Sequence, residues 1–326
     1  MPNFGRQATQ PEPGGDWPTV AAVVPATDDP PTLARCVAAL RASSAPPDEL
    51  VVVESPPGAG PAEARNAGAA AANSELIAFV DADVEVHPEA LERARGALAA
   101  QPRLVAVFGS YDDRPADPAA VSRFRNLLHH HVHTSSPGPA ETFWAGLGVI
   151  RREAFLAAGG FDASRYPEPA IEDIELGMRL VAGGATIVLD PEIRGTHLKR
   201  WSLASMVRTD LLRRGIPWVR LQLESGRVSG TLNLGWRHRL SAIAAIAAVW
   251  AGATRRPLAA AGALAGLVGL NAPFYALLRR RGGIALAAAG LPLLVLHHVV
   301  SAIALVAGGA AHALGLGRAE RAERMS

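Results

Sequence analysis

Two aspartates, Asp81 and Asp83, stand one residue apart in the stretch LIAFVDAD, directly after a run of apolar residues. The run LIAFV has the length and composition of a buried β-strand, so both carboxylates would lie where the strand meets solvent. Carboxylate oxygens are preferred ligands of Mg²⁺ and Mn²⁺, and such hard cations are usually bound together with phosphate groups. Acids at strand ends are also common without any metal, so the D-x-D pattern alone leaves both interpretations open.

The sequence around this pair alternates strand-like and helix-like stretches. TVAAVVP and DELVVVES are short β-branched runs, and PTLARCVAALRAS between them has apolar residues at helical spacing. PAEARNAGAAAAN, ELIAFVDAD and PEALERARGALAAQ continue as helix, strand and helix. Strands joined through helices pair in parallel by right-handed crossovers. We therefore predict an open α/β sheet, in which ligands bind beyond the carboxyl ends of the strands, where Asp81 and Asp83 lie.

Composition excludes several classes of protein. The chain has 326 residues and a formal net charge of +2, so it lacks the basic surface expected of a nucleic-acid-binding protein. Cys36 is the only cysteine, which excludes an intrachain disulfide and a cysteine-based zinc site. Residues 1–18 contain no apolar run that resembles a secretion signal, and we expect a disordered tail there.

The apolar residues are concentrated after position 240, in three segments separated by arginines: LSAIAAIAAVWAGAT, PLAAAGALAGLVGLNAPFYALL and IALAAAGLPLLVLHHVVSAIALVAGGAAHAL. A membrane-spanning helix needs about 20 apolar residues, which the second and third segments provide and the first barely does. Ala-rich core helices are the alternative, although such helices normally carry a polar face. We expect about three transmembrane helices in residues 240–314 and a charged tail at 315–326. Arg279–Arg281 favour the cytoplasm, but Arg255 and Arg256 would then face outward, against the positive-inside rule.

Residues 203–239 combine an apolar stripe with arginines. Met206, Leu211 and Trp218 lie on the stripe, and Arg208 and Arg213 lie beside it. Such a pattern predicts an amphipathic segment that lies in the lipid headgroup layer. Pro217 lies within this segment and would break or kink a helix.

Ordered stretches of this chain resemble the nucleotide-sugar-dependent family 2 glycosyltransferases, which have the GT-A fold. They are VAAVVPATDD, LVVVES, GPAEARNAG, FVDAD, FWAGLGVIRREAFLAAGGFD with EDIELGMRL, and THLKRWSL, and the resemblance covers residues 19 to about 225. It implies a GT-A catalytic domain over residues 19–202, an open twisted sheet with helices on both faces, followed by transmembrane helices. It also implies a nucleotide-diphospho-sugar donor, a divalent metal (Mg²⁺ or Mn²⁺) and inversion at the sugar carbon.

The resemblance also assigns residues to the donor and the metal. It places the donor nucleotide against Pro25, Thr27, Asp28, Glu54, Arg65, Asn66 and Asp81. Arg65 and Asn66 could instead cap local structure. The metal would be held by Asp83 with Asp81 and, as a further ligand or phosphate donor, by His197, although a single histidine is as often structural.

The chain departs from the family pattern at two places near the nucleotide. Val53 and Glu54 stand where many members have two acids, and Ala26 stands where an aromatic residue often follows the first proline. The identity of the nucleotide therefore stays open.

An acid that accepts a proton from the acceptor hydroxyl is the second requirement of glycosyl transfer. Glu172 and Asp173 match the family's acid pair, and we predict Asp173 as the general base. Acids in the first turn of a helix also stabilise its dipole without any catalytic role. The predicted acceptor and diphosphate side consists of Trp144, Gly146, Arg200 and Trp201. Arg200 and Trp201 could instead anchor the domain on lipid headgroups.

The histidines of NLLHHHVHTSS invite a metal interpretation, because His129 and His133 have i, i+4 spacing. His130 and His131 fill the gap where a zinc protease has glutamate, which excludes that class. We expect this stretch to line the acceptor side.

The sequence thus predicts a multi-pass protein of the bacterial inner membrane with a cytoplasmic catalytic domain. Its partners would be a nucleotide-sugar donor, membrane lipids and no nucleic acid; a lipid-linked acceptor follows from the anchor alone. The alternative function is a non-catalytic nucleotide-sugar-binding scaffold with a degenerate glycosyltransferase fold. A nucleotidyltransferase would need a Gly-rich phosphate loop and a lysine after the first strand, and PATDDPPT has neither.

Overall fold

The computed structural model describes residues 17–226 and 235–315. Nearly all of the predicted tails (1–18 and 315–326) and positions 227–234 of the predicted amphipathic segment lie outside the described residues. The chain divides into two compact units. The first unit comprises the residues up to Asp112 together with His133–Lys199, and the second comprises Asp113–Val132 and the residues from Arg200 onward.

The first unit is built on a mixed β-sheet that has eight strands in the described residues. They are β1 (Val20–Pro25), β2 (Glu49–Val53), β3 (Leu76–Val80), β4 (Val84–Val86), β5 (Leu104–Tyr111), β6 (Gly138–Ala140), β7 (Leu147–Arg151) and β8 (Thr186–His197). The order across the sheet is β2-β1-β3-β7-β5-β8-β4, and β6 pairs with β8. β1 is parallel to β2 and β3, as predicted, whereas β7 is antiparallel to β3 and β5. The predicted α/β fold is confirmed.

Helices connect these strands. They are α1 (Leu33–Arg41), α2 (Pro61–Ala71), α3 (Ala90–Ala100), α4 (Ala120–Thr134), α5 (Arg152–Ala157) and α6 (Glu172–Ala182). α2 begins with a proline at its first turn, where the missing N–H costs nothing. It packs closely on the sheet, because a Cβ at Gly68 would lie 2.4 Å from Val23 Cγ1. This close approach brings the second turn of α2, with Arg65, to the carboxyl end of the sheet.

The core of the first unit lies on the central strands. Every residue of β3 is buried, and so are the first five of β1. Continuous apolar runs of this kind are expected where both faces of a parallel strand are covered. Each fully buried aliphatic side chain stabilises the fold by about 1.5–3 kcal/mol. The strands are therefore held in place, and polar side chains at their ends have fixed positions.

The second unit is helical. It contains α7 (Leu203–Arg208), a π-helix (Thr209–Gly215), α8 (Ile216–Ser225), α9 (Trp236–Ala253), α10 (Pro257–Leu270) and α11 (Ala272–Ala313). Ser202 caps α7 in a reciprocal capping box with Ser205. Pro217 lies in the first turn of α8, directly after the π-helix, so helical backbone continues through the predicted break as a change from π to α geometry.

Residues 113–132 group with the second unit, although they fall within the range predicted as one catalytic domain, 19–202. The reason is the apolar face of α4, where Phe124, Leu127 and Leu128 form one core cluster with residues such as Phe274 and Leu278 of α11. The sequence pattern places an apolar face on α4 but does not identify the surface that covers it.

Among the described helices, α11 alone is long and apolar enough to cross a membrane. Gly283 has φ 66° and divides α11 into two helical parts, of which the second is about 45 Å long at 1.5 Å per residue. The 14 residues of α10 reach only about 21 Å, which is less than the hydrocarbon core of a bilayer. The apolar run predicted as about three spans is therefore cut into shorter helices, and one of them meets the length requirement.

Candidate functional site

The two aspartates of the D-x-D stretch lie in a turn between β3 and β4. The backbone N–H of Asp81 donates to the carbonyl oxygen of Gly146 at 3.1 Å, and the N–H of Val84 donates to the carbonyl oxygen of Asp81 at 2.9 Å. These bonds fix the turn at the carboxyl end of β3. The placement agrees with the position predicted for Asp81 and Asp83.

Arg65 joins this turn to the start of α6. Its Nη2 donates to Asp81 Oδ1 at 2.6 Å, and its Nη1 donates to Glu172 Oε1 at 2.8 Å. The second oxygen of Glu172 accepts the N–H of Ala170 at 2.9 Å. A guanidinium presents its donors in a rigid fork, so it fixes both carboxylates relative to each other. Arg65 and Glu172 are both buried, so their ion pair holds the start of α6 to the D-x-D turn from inside the protein.

Asp173 is the more accessible of the two acids at the start of α6, since it is half-buried whereas Glu172 is buried. Its Oδ2 accepts the N–H of Ala145 at 3.1 Å. The next residue, Gly146, accepts the N–H of Asp81. Two consecutive residues thus connect the predicted base to the D-x-D turn, and the two predicted sides of the site share one cluster of contacts.

Asp83 faces the end of β8. Its Oδ2 is 3.4 Å from His197 Nε2 and 3.9 Å from Lys199 Nζ, because β4 and β8 pair with Val84 opposite His197. Burial by itself would raise the pKa of Asp83, but the hydrogen bond and charge of His197, with the charge of Lys199, hold that pKa below its ordinary value. Asp83 is therefore a stable carboxylate at neutral pH.

Asp81 has the opposite tendency. Burial raises its pKa, the guanidinium of Arg65 lowers it, and the negative charges of Asp83 and Glu172 raise it again, with a net increase. Burial is the largest cause of this increase in the pKa of Asp81, and the two neighbouring carboxylates add to it.

The carboxylates of Asp81 and Asp83 fit a divalent cation, because their oxygens are ligands that Mg²⁺ and Mn²⁺ prefer. Within residues 17–226 and 235–315, no three side chains of histidine, cysteine, aspartate or glutamate are grouped as a complete metal site. Mg²⁺ commonly binds through one or two carboxylates and completes its coordination with water and phosphate oxygens.

The predicted donor loops lie side by side beyond β1 and β2. The N–H of Ala26 donates to the carbonyl oxygen of Val53 at 2.9 Å, and the Thr27 hydroxyl donates to the carbonyl oxygen of Ala59. Asp28 and Glu54 are exposed, and Pro25 is opposite Val53 in the strand pairing. Pro25, Thr27, Asp28 and Glu54 are therefore brought to one edge of the sheet.

Asn66 has a structural use. Its Nδ2 donates to the carbonyl oxygen of Phe161 at 2.8 Å, and its Oδ1 accepts the N–H of Phe161 at 2.9 Å. Both ends of the amide bind the backbone of the GGFD turn. The structure thus supports the alternative in which Asn66 fixes local structure. Arg65, in contrast, binds the carboxylates of Asp81 and Glu172.

Trp144 and Gly146 lie beside the D-x-D turn. A Cβ at position 146 would lie 2.5 Å from the indole of Trp144, so only glycine lets the indole lie there. Trp144 is half-buried and meets the ring of Tyr111 edge-on, with centroids 4.8 Å apart. Tyr111 in turn stacks on His197. Sequence reasoning missed Tyr111; its position at the end of a strand was the available signal.

Residues 52–156 match the family model described as Glycosyl transferase family 2. Over these residues the chain is similar to the family 2 glycosyltransferases. Two similar relatives are the pre-mycofactocin glycosyltransferases of Mycobacterium tuberculosis strains CDC 1551 / Oshkosh and ATCC 25618 / H37Rv. Each is 28% identical over an alignment of 172 residues, which covers 49% of this chain and 34% of the relative. The match thus spans about a third of the length of these curated relatives.

A solved structure shares the fold of this chain. It is the mannosyltransferase of Pyrobaculum calidifontis in complex with GDP-Man and Mn²⁺, with a TM-score of 0.53 and 19% identity, covering 91% of this chain and 87% of that chain. The predicted GT-A fold is confirmed.

Arg200 and Trp201 belong to the second, helical unit. Trp201 is 7% exposed; its backbone N–H donates to Ser122 Oγ at 2.7 Å, and Arg125 lies over its ring at 5.6 Å. This burial opposes the predicted contact with a sugar, because no broad face of the indole is open. Arg200 is exposed, with its Nε 3.5 Å from Asp117 Oδ2.

The histidines of α4 are divided between the two units. His129, His130 and His131 belong to the second unit and His133 to the first. His133 is buried, with Nδ1 2.9 Å from the carbonyl oxygen of Gly109 and its ring 5.4 Å from that of Trp144. His133 thus supports the side of Trp144 that was predicted to face the acceptor.

Proposed function

We propose that this chain is a metal-dependent inverting glycosyltransferase that moves a sugar from a nucleotide-diphospho-sugar to an acceptor hydroxyl. The observation that carries the proposal is the bridge of Arg65 between Asp81 and Glu172. It supports a single site with Asp83 on one side and Asp173 on the other.

The donor is proposed to lie across the carboxyl ends of β1, β2 and β3. Thr27, Asp28 and Glu54 provide polar groups for the nucleoside, and Asp83 with Asp81 would hold Mg²⁺ or Mn²⁺. Bound there, the cation would neutralise negative charge on the departing diphosphate. Lys199 is half-exposed near Asp83 and adds a mobile positive charge. The Pyrobaculum calidifontis mannosyltransferase of the same fold is in complex with GDP-Man and Mn²⁺, which makes these the first ligands to test.

The proton of the acceptor hydroxyl is proposed to pass to Asp173. A general base must lie within hydrogen-bond reach of that proton, and the half-buried carboxylate is accessible. The N–H of Ala145 holds Oδ2 from one side, and the N–H of Ile174 holds Oδ1 at 2.8 Å. Glu172 supports the site by holding Arg65. One base opposite the leaving group is consistent with inversion.

The reaction is proposed to take place at the cytoplasmic face of a bacterial inner membrane. Large apolar side chains are exposed on the helices of the second unit: Leu240, Ile243, Ile246, Val249, Trp250, Leu258, Ile284, Ile303, Leu305 and Val306. Arg256 lies over the Trp250 ring at 5.1 Å, a pairing typical of a membrane interface. A water-exposed apolar surface of this extent supports contact with lipid and a multi-pass anchor. A lipid-linked acceptor is the corresponding proposal.

The test uses the full-length protein in detergent or lipid nanodiscs with a panel of radiolabelled nucleotide sugars. We expect Mn²⁺-dependent release of sugar from one donor, its loss with EDTA, and its loss in Asp83→Asn. Asp190→Asn is the matched control. Asp190 lies on another part of β8, where it forms an ion pair with the half-exposed Arg93 of α3. Donor binding without turnover for the whole panel would contradict catalysis and favour the scaffold.

A further inference from the structure

Tyr111 is a buried aromatic residue beside the site that no proposed step uses. It is the last residue of β5, and its Cα is opposite Gly195 in the parallel pairing with β8. Side chains two residues apart on a strand share a face, so His197 projects on the same face as position 195. A large side chain can reach such a diagonal neighbour. The Tyr111 ring is therefore placed against His197.

The rings of Tyr111 and His197 stack with centroids 4.1 Å apart and planes inclined by 10°. An imidazole rotates broadly about its second side-chain torsion, and a flat neighbour at this distance restricts the ring to one plane. In that plane Nε2 is 3.4 Å from Asp83 Oδ2. The stack thus sets the direction of the nitrogen that faces the proposed cation ligand.

Tyr111 also contacts the opposite side of the site. Its ring meets Trp144 at 4.8 Å and 85°, an edge-to-face arrangement. The indole also contacts the ring of His133, with centroids 5.4 Å apart, and it lies against Gly146. One tyrosine ring therefore supports both the imidazole on the cation side and the indole on the acceptor side.

We propose that Tyr111 is a positioning residue for the glycosyl transfer proposed above. Its ring holds His197 toward Asp83 and holds Trp144 in place, and its burial at 8% exposure keeps it from presenting a face to substrate. The inference rests on the proposed function, which gives the two sides of the site their roles. Phenylalanine at 111 would preserve both ring contacts, whereas leucine would remove them.

The test measures Mn²⁺ binding to the full-length protein by electron paramagnetic resonance of free Mn²⁺, with GDP and with UDP. Groups that orient metal ligands typically change metal affinity at least about tenfold when removed, so we expect about tenfold weaker binding in Tyr111→Leu and at most about a twofold change in Tyr111→Phe. Phe108→Leu is the matched control: Phe108 is a fully buried ring on β5 that contacts His133 and Phe143. We expect wild-type affinity in that control.

Two outcomes would overturn the inference: wild-type Mn²⁺ affinity in Tyr111→Leu, or equal losses in Tyr111→Leu and Tyr111→Phe. A double-mutant cycle with His197→Gln measures whether the effects of the two substitutions on Mn²⁺ affinity are coupled, and general destabilisation would not produce such coupling. If Tyr111 acts through His197, Tyr111→Leu will weaken Mn²⁺ binding no further in the His197→Gln background, and additive losses would contradict this. Should Tyr111→Leu fail to fold, Tyr111→Met is used instead of Tyr111→Leu in every measurement, because methionine fills the volume with a flexible side chain.

Failure of the proposed function would give different Mn²⁺-binding results from failure of the inference about Tyr111. Absence of Mn²⁺ binding to the wild-type protein with either nucleotide, or unchanged binding in Asp83→Asn, would contradict the proposed metal site itself. The inference alone fails when the wild type binds Mn²⁺, Asp83→Asn weakens binding, and Tyr111→Leu does not.

Discussion

Arg65 Nη1 lies 2.8 Å from Glu172 Oε1, and both side chains are buried. This contact joins α2 to α6 across 107 positions of the chain. It holds the start of α6, with Asp173, against the turn that contains Asp81 and Asp83.

Loss of the Glu172 charge should destabilise the protein. In Glu172→Gln we expect the free energy of unfolding to fall by about 1–3 kcal/mol, because buried Arg65 loses a charged partner. The measurement is chemical denaturation in detergent. Glu175→Gln on the same helix is the control: its pair with the half-exposed Arg179 should contribute at most about 1 kcal/mol. An equal decrease in the free energy of unfolding in the two variants would contradict this role of the Arg65–Glu172 ion pair.

An alanine at position 146 should displace Trp144. The added Cβ would lie 2.5 Å from the indole, and overpacking of this kind costs about 1–3 kcal/mol. We expect Gly146→Ala to lower both the melting temperature and the rate of sugar transfer. Gly252→Ala is the comparison, because a Cβ there meets nothing within 4 Å and alanine favours a helix. A Gly146→Ala protein with wild-type activity would refute the importance of this contact.

Cys36 should be unreactive in the folded protein. The thiol is buried, and burial, with the charges of Asp81 and Asp83, raises its pKa to about 12. Because the thiolate is the reactive form, the protonated thiol should resist Ellman's reagent at pH 8 until the chain is unfolded in guanidinium. Rapid reaction of the native protein would show that Cys36 is accessible.

The apolar surface of α11 should be covered by lipid. On a Cys36→Ala background, Val306→Cys introduces a thiol at a side chain that is 73% exposed in the structure. We expect a membrane-impermeant maleimide to leave it unlabelled in intact vesicles. Leu156→Cys is the control, since Leu156 is exposed on the first unit, and it should be labelled in opened vesicles. Equal labelling of both would contradict a membrane location for α11.

Local pattern was enough to predict the α/β fold and the place of Asp81 and Asp83. The apolar runs of β1 and β3 and the helical spacing around Cys36 specify their own conformations, so the parallel start of the sheet follows from sequence. The partners of Arg65 and Asp173 could not be predicted in this way, because Glu172 and Ala145 come from remote parts of the chain. Such contacts depend on tertiary packing.

The helical region shows the limits of composition more clearly. Apolar content predicted about three spans, and that number stays a prediction; composition did not show that α10 ends at Leu270 or that the backbone bends at Gly283. The burial of Trp201 was also hidden, because the pattern shows an aromatic residue beside an arginine and not the α4 surface that covers it. Tyr111 was missed because its partner His197 lies 86 positions further on.

The most direct test of the central claim compares donor binding with sugar transfer in Asp173→Asn. The claim is that Asp83 serves the cation and donor while Asp173 accepts the proton, so the two functions should separate. We expect Asp173→Asn to keep wild-type Mn²⁺ and nucleotide binding and to lose about 10²–10⁴-fold in kcat, the usual contribution of a general base. Wild-type turnover in Asp173→Asn, or loss of nucleotide binding together with turnover, would contradict the account.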